Sequence, residues 1–465
     1  MSDNLSIRDK MRSELSDKTA FEQARAYAYE YMDKVAERPV IPSEEALNSL
    51  RVFDEPLPEQ SCDSTTILSL LDVYGSPATM AQTAGRYFGF VNGSSTPAAL
   101  ASKWLADVWD QNAALYVISP IASQLEAVCE KWLTELLGLP AGTAAGFVSG
   151  TSIATACGLV AGRNEILRKQ GWDVASKGLF GAPPVRVILG EEAHATVFKA
   201  LALIGLGKDR VEKVPVDGQG RMLADRMPEL DSSCLVIAQA GNVNSGAFDP
   251  FVPICEKARK AGAWVHIDGA FGLWAAASDN LRHLTEGIEM ADSWSVDAHK
   301  TLNAPYDSGI VLCKNRDSLV SALQASGSYI IYSDKRDGML YTPEMSRRAR
   351  GIELWATLKF FGRKGVEELV DGLCERARQF AKLLTANGFH VPNDVVFNQV
   401  LVACDTPEHT KALLERIQRS GECWCGGSIW KGEPVIRISV CSWATTPEDV
   451  ERSVAAFVEA RDGVV

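Results

Sequence analysis

Between about Thr79 and Asp317, short aliphatic runs alternate with helix-like stretches, and this alternation limits the possible folds more than any other feature of the chain. The runs are Val185 to Leu189, Cys234 to Gln239, Trp264 to Ile267, Ser293 to Val296 and Ile310 to Cys313, all of strand length and rich in β-formers. Strands separated by helices predict βαβ units, hence an α/β domain built on a mostly parallel sheet. Ligands of such sheets bind outside the carboxyl ends of the strands, so chemistry is expected in the residues just after each run.

The flanking segments follow other patterns. In residues 1–78, apolar positions recur at helical spacing from Asp17 to Glu37 before Pro39, Pro42, Pro56 and Pro58 interrupt them, which predicts a helix and an extended arm. Such an arm has no core of its own and must bury its apolar face on another domain or subunit. Residues 79–344 form the large domain. Residues 345–465 predict a smaller α+β domain, helical over Arg347 to Phe361, Gly365 to Asn387, Pro407 to Ser420 and from Pro447, and strand-like over Val395 to Cys404 and Val435 to Cys441.

Composition removes several classes of partner. A chain of 465 residues with a net charge of -12 lacks the clustered basic surface that nucleic acid or an anionic membrane would need. Met1 to Lys10 has no apolar leader, and no run approaches the roughly 18 apolar residues of a membrane span. The 11 cysteines are odd in number and irregularly spaced, as expected of reduced thiols in a cytoplasm. Cys423 and Cys425 are the only close pair, without histidines at ligand spacing, so no metal is expected.

The run Ser293 to Val296 ends in a polar turn carrying Lys300, within S-W-S-V-D-A-H-K-T-L-N-A-P-Y-D-S-G-I. An amine fixed at a strand end can attack an aldehyde and form a Schiff base; the competing reading is a solvated surface lysine. In W-V-H-I-D-G-A-F-G, the strand delivers Asp268 to the same edge. There a carboxylate can pair with the pyridine nitrogen of pyridoxal phosphate, or simply cap a helix. At ~4 Å and an effective dielectric of ~20 such a pair is worth roughly 4 kcal/mol, enough to decide where the proton sits.

Upstream, Ser149, Gly150, Thr151 and Ser152 precede a helix-like stretch and could cradle a phosphate with backbone N–H groups and hydroxyls, although small polar residues also make ordinary caps. His194 follows the run ending at Leu189 and could stack on a cofactor ring; His266 and His299 lie inside the two key motifs. An isolated histidine is more often a satisfied structural residue.

These segments, together with R-Y-F-G-F-V-N-G, A-G-N-V-N-S-G-A-F-D and M-S-R-R-A-R-G-I-E-L-W, resemble the group II pyridoxal-phosphate-dependent amino-acid decarboxylases from about Tyr87 to Ala460. The resemblance implies the aspartate-aminotransferase fold, fold type I, with a large domain on a seven-stranded-type sheet. It implies Lys300 as the Schiff-base lysine, Asp268 as pyridinium partner, Ala270 beneath the ring and His194 stacked on it. Gly150, Thr151 and Ser152 would hold the phosphate with His299. It further implies a homodimer with active sites at the interface.

The sequence departs from the family pattern in places. D-A-H-K stands for the usual N-P-H-K and D-G-A-F for D-A-A-Y, while Asn242 and Val243 replace common threonines near the ring edge. The segment Gly327 to Tyr341, where many members carry a proton-donating tyrosine, is short, and Tyr329 and Tyr332 are its candidates. Arg437 could grip a substrate carboxylate or anchor the domains; a grip on a departing carboxylate would stabilise the ground state. Tyr87, Phe88, Phe90 and Trp109 could line an aromatic pocket or belong to the core. The expected activity is decarboxylation of an L-amino acid. The alternatives are an aminotransferase, an aldolase-like lyase or an aldehyde-forming oxidative variant on the same scaffold, and a cofactor-binding protein without turnover.

Overall fold

The computed structural model describes residues 6–325 and 332–463. Its large sheet contains β1 (Ala144–Val148), β2 (Arg186–Gly190), β3 (Val211–Val214), β4 (Cys234–Gln239), β5 (Trp264–Asp268), β6 (Ser293–Asp297) and β7 (Gly309–Cys313). Their spatial order is β1-β7-β6-β5-β4-β2-β3. β3, β2, β4, β5 and β6 are parallel to their neighbours, while β7 runs antiparallel to both β6 and β1. β1 therefore points the same way as the parallel set, and the ends of β1, β2, β4, β5 and β6 open at one edge. The α/β fold with a mostly parallel seven-stranded sheet is the one expected.

The central strands are buried along their whole length, because helices cover both faces and leave no polar side. Trp274, Trp294, Phe147 and Phe251 are among the largest fully buried side chains in this layer. Two strands of this sheet escaped the sequence reading: β1 is built from A-A-G-F-V, poor in strand formers, and β3 is a charged edge strand, V-E-K-V.

The smaller unit is an antiparallel sheet, β8 (Gln399–Val402), β10 (Glu433–Ser439) and β9 (Gly426–Trp430), in the order β8-β10-β9. It packs against the helices Pro407–Ser420 and Pro447–Asp462. The two helices expected at Arg347 to Phe361 and Gly365 to Asn387 are both present within Gly351–Ala386, separated by a break at Gly362, whose φ of 59° suits glycine. This element contributes Leu354 and Leu358 to the large core and Phe380 and Leu384 to the small one, tying the two together.

At the N-terminus the helix expected from Asp17 to Glu37 is Thr19–Lys34; a further helix, Ile7–Asp17, precedes it across Lys18 at φ 64°, and the stretch expected as an extended arm carries short helices at Glu44–Ser49 and Ser64–Leu70. Ile7, Met11, Leu15 and Phe21 remain exposed on them. No helix among the described residues is long and apolar enough to cross a membrane.

A buried ion cluster joins the helix Pro120–Leu136 to the segment entering Gly351–Ala386. Glu126, 1% exposed, lies 2.7 Å from Arg347 and 3.2 Å from Arg336, and Arg336 also reaches Glu130 at 2.7 Å. Removing one member of such a cluster strands the others without water. Glu126→Leu should lower the unfolding free energy of the cofactor-free protein by about 3–5 kcal/mol, read as a fall in the urea midpoint.

Candidate active site

The shared strand edge gathers most of the residues singled out by sequence. β5 and β6 are in parallel register from His266 opposite Ser293 to Asp268 opposite Ser295, so Asp268 ends one strand beside the neighbour that leads into Lys300. Across the same edge, β2 delivers His194 and β1 delivers Ser149–Ser152.

Asp268 is 4% exposed, and its carboxylate accepts one hydrogen bond, from the Ala270 N–H at 3.2 Å. Among the described residues it has no ion-pair partner. Burial raises its proton affinity, opposed by the nearby charges of His194 and Lys300 and by the Ala270 N–H. Such a group calls for a cationic donor, and a protonated pyridine nitrogen answers that need.

Lys300 Nζ lies 3.1 Å from Asp297, the last residue of β6. Asp297 is 2% exposed and also accepts the Thr151 N–H at 2.7 Å and the Thr151 hydroxyl at 2.9 Å. Sequence reading quoted this aspartate within D-A-H-K without giving it a role. Its position three residues before the lysine, at a strand end, was the available signal.

Gly150 has no side chain to cap the helix Thr151–Lys169, and Asp297 takes the first N–H in its place. Gly150 is pressed onto β7: a Cβ on Gly309 would fall 2.3 Å from the Gly150 Cα, so glycine at 309 permits the contact. Ser149 and Ser152 are partly exposed beside this helix start, and their hydroxyls suit a phosphate. His299 accepts the Ser308 N–H at Nδ1, 3.0 Å away, which leaves its proton on Nε2, the nitrogen that lies 3.6 Å from Asp297. Burial lowers the proton affinity of His299, with Asp297 opposing, and Tyr306 stacks on its ring at 4.2 Å.

His194 caps the helix Ala195–Leu203, accepting the Thr196 N–H at Nδ1. Burial lowers its proton affinity first; the charges of Lys300 and Arg437 add to the effect and Asp268 opposes it. His194 is thus neutral at physiological pH and lies within electrostatic reach of the three charged groups. Arg437, at mid-strand in β10, donates to the Val243 carbonyl at 3.3 Å and has no ion-pair partner among the described residues. Burial lowers its proton affinity as well. The site therefore combines a carboxylate lacking a cation with a guanidinium lacking an anion.

Other expectations need correction. Phe88, expected at the substrate, is fully buried in the small core and packs edge-on against Phe380. Asn242, expected at the cofactor, gives its side-chain oxygen to the backbone N–H groups of Asn244 and Ser245 and its amide to Glu192, shaping a turn beside the site. Tyr332 is exposed and donates to the Ala325 carbonyl, with no described contact to the cluster. Tyr329 lies outside the described residues. Tyr87 is buried and stacks on Trp424 at 5.2 Å, with Phe90 on the same indole at 5.4 Å, whereas Trp109 is half-exposed at a helix end. Ala270 accepts the Asp297 N–H, linking the two key motifs.

His266 has no part in the cluster. It is fully buried on the sheet face against the helix Thr151–Lys169, contacting Ser293 at 2.8 Å and Ser295 at 3.3 Å, and burial pushes it down to about 3.

The model of the pyridoxal-dependent decarboxylase conserved domain matches residues 62–403. Tryptophan decarboxylase 1 of Oryza sativa subsp. japonica is 25% identical over 77% of this chain and 76% of its own length. The aromatic-L-amino-acid decarboxylase of Sus scrofa is 26% identical over 70% and 72%. The aspartate 1-decarboxylase of Aliivibrio fischeri is 31% identical over 51% and 46%. A crystal structure of Oryza sativa TDC with PLP and tryptamine superposes with a TM-score of 0.88 at 22% identity, covering 100% of this chain and 99% of the other, which supports the fold.

The state of His266 has a measurable consequence. Unfolding lets its imidazole take up a proton at about pH 6.5, whereas in the fold it does so only at about 3. The unfolded state binds more protons between these values, so stability falls as pH drops through that window, by about 1.4 kcal/mol per pH unit from this group. His266→Gln should flatten the acid limb of a plot of unfolding free energy against pH between 6.5 and 4.

Proposed function

This chain belongs to the pyridoxal-dependent decarboxylase family, and on that premise we propose that its substrate is an aromatic L-amino acid, worked on at the edge where Lys300, Asp268, His194 and Arg437 meet. Decarboxylation of an amino acid with pyridoxal phosphate is its activity. The observation that carries the site assignment is the uncompensated charge: among the described residues Asp268 lacks a cation and Arg437 lacks an anion, and pyridoxal phosphate with an amino acid would supply both.

In this reading Lys300 holds the cofactor covalently. Asp268 would take the ring nitrogen, His194 and Ala270 would bound the ring, and Gly150, Ser149, Ser152 and His299 would hold the phosphate, while Thr151, whose N–H and hydroxyl both go to Asp297, fixes the cradle to the end of β6. When bound, pyridoxal phosphate provides the electron sink for the pair left behind by the departing carboxylate. Asp268 keeps a proton on the ring nitrogen, and its burial strengthens that hold. His194, being neutral, adds no charge against the ring. The His299 Nε2–H, 3.6 Å from Asp297 and so not hydrogen-bonded to it, and the hydroxyls of Ser149 and Ser152 are the donors available to a phosphate.

Arg437 orients the substrate α-carboxylate on entry. A uniform grip on a group that must leave lowers KM without raising kcat, so the contribution of Arg437 belongs to binding and orientation. The segment Tyr87–Gly93 lies against the lysine turn, since a Cβ on Gly93 would fall 2.1 Å from the Lys300 carbonyl. It brings the aromatic wall of Tyr87, Trp424 and Phe90 to the site mouth, and the relatives named for tryptophan and aromatic amino acids support an aromatic side chain there.

Phe90, Val108, Trp109 and Val117 are exposed, and a second copy of the chain would cover such apolar surface, which supports a homodimer. Eleven free cysteines suit a reducing cytoplasm.

Purified protein supplied with pyridoxal phosphate should release carbon dioxide from L-tryptophan, L-tyrosine or L-phenylalanine. Release from aspartate or glutamate alone would overturn the aromatic assignment. Lys300→Ala should abolish the cofactor absorbance retained after gel filtration. Asp268→Asn should cut kcat about a thousandfold, matching the roughly 4 kcal/mol of its ion pair. Arg437→Leu should raise KM about tenfold or more with a smaller loss in kcat.

A further inference from the structure

Three residues beyond Lys300 stands an asparagine with no part in the cofactor site. Asn303 is fully buried and holds φ at 58°, a left-handed conformation that asparagine tolerates better than other side chains bearing a Cβ. Its side-chain oxygen accepts the Ser94 N–H at 3.0 Å and the Trp443 N–H at 2.9 Å. Its amide donates to the carbonyls of Cys441 at 2.9 Å, Thr301 at 2.9 Å and Lys300 at 3.2 Å.

This arrangement uses the whole hydrogen-bonding capacity of a carboxamide, and only one orientation fits it. Flipping the amide would set NH2 against two N–H groups and the oxygen against three carbonyls. Aspartate lacks the donors, serine is too short to span the junction, and leucine would leave five buried backbone groups without this partner. Backbone bonds reinforce the same junction: the Gly93 N–H reaches the His299 carbonyl at 3.2 Å and the Thr96 N–H the Asn303 carbonyl at 3.2 Å.

Three segments distant in sequence meet at this side chain. Ser94 follows the aromatic segment Tyr87–Gly93, Lys300 and Thr301 form the lysine turn, and Cys441 and Trp443 follow directly after β10, the strand that carries Arg437. Resting on the reading of Arg437 as the carboxylate anchor, we propose that Asn303 is a positioning residue. Its carboxamide couples β10 to the lysine turn, so that Arg437 and Lys300 meet the two ends of one substrate at a fixed spacing. Arg437 and Lys300 lie on different domains, and a substrate held at both ends responds to an ångström of drift between them. Such a misplacement costs about 100-fold in rate.

The test uses Asn303→Gly, which keeps the left-handed backbone and removes the clamp, and Asn303→Asp, which keeps the acceptor and removes the donors. The full-length holoenzyme should retain cofactor absorbance after gel filtration in both variants, with kcat/KM for the best amino-acid substrate down about 30- to 100-fold. Formamide at molar concentration should restore part of the loss in Asn303→Gly and none in Asn303→Asp. In an Arg437→Leu background, the effect of Asn303→Gly on KM should largely vanish, because two residues acting through one contact are not additive.

Full additivity of the two substitutions, or kcat/KM within threefold of the parent in Asn303→Gly, would overturn the proposal. So would a loss confined to thermal stability and cofactor retention. Should Asn303→Gly prove insoluble, Asn303→Ser carries the same expectations. If Arg437→Leu alone leaves KM unchanged, the carboxylate-anchor reading fails by itself. Formamide rescue of Asn303→Gly would then assign the clamp to the lysine turn only and overturn its coupling to Arg437.

Discussion

Parallel pairing of β2, β4, β5 and β6 is the constraint from which the rest of the site follows. Parallel strands end at one edge, and side chains that lie up to more than a hundred residues apart in sequence arrive there together. β7 inserts antiparallel between β6 and β1, which restores the direction of β1 and brings the helix start at Thr151 to the same place. Without that one reversed strand, the phosphate cradle and the lysine would face opposite ends of the sheet.

Electrostatics then divides the edge into two halves. On the cradle side, Asp297 holds Lys300 and caps the helix start with the same carboxylate, so charge is balanced within the protein. On the ring side, Asp268 is buried with a single backbone donor, and across the cleft Arg437 has a single carbonyl acceptor. A buried charge without a partner is unfavourable in a folded protein, and ligand binding relieves it. This imbalance supports the place proposed for the cofactor and the amino acid, while burial above all lowers the proton affinity of His194 there.

Close backbone approach supplies the precision that charge cannot. Gly309 lets the cradle lie flat on β7, and Gly93 lets the aromatic segment touch the lysine turn. Asn303 completes the junction by satisfying backbone groups from three segments at once. Away from the edge, the Glu126, Arg336 and Arg347 cluster fixes the entry to the kinked helix pair Gly351–Ala386, which contributes to both cores.

Sequence alone determined the α/β class, the five strand runs, and the order of Ser149–Ser152, His194, Asp268 and Lys300, because each is written in local pattern: apolar periodicity, then a polar residue where the strand must end. It missed β1, whose small residues carry little strand preference and become a strand only through pairing with β7. It assigned Phe88 to the substrate and Asn242 to the cofactor, since local context cannot say which way a side chain turns. Only the tertiary structure decided that Asp297 pairs with Lys300, that Arg437 lacks an acid among the described residues, and that Asn303 joins Ser94, Lys300 and Trp443. Those facts depend on segments up to 349 residues apart meeting in space, and no periodicity in the chain encodes such a meeting.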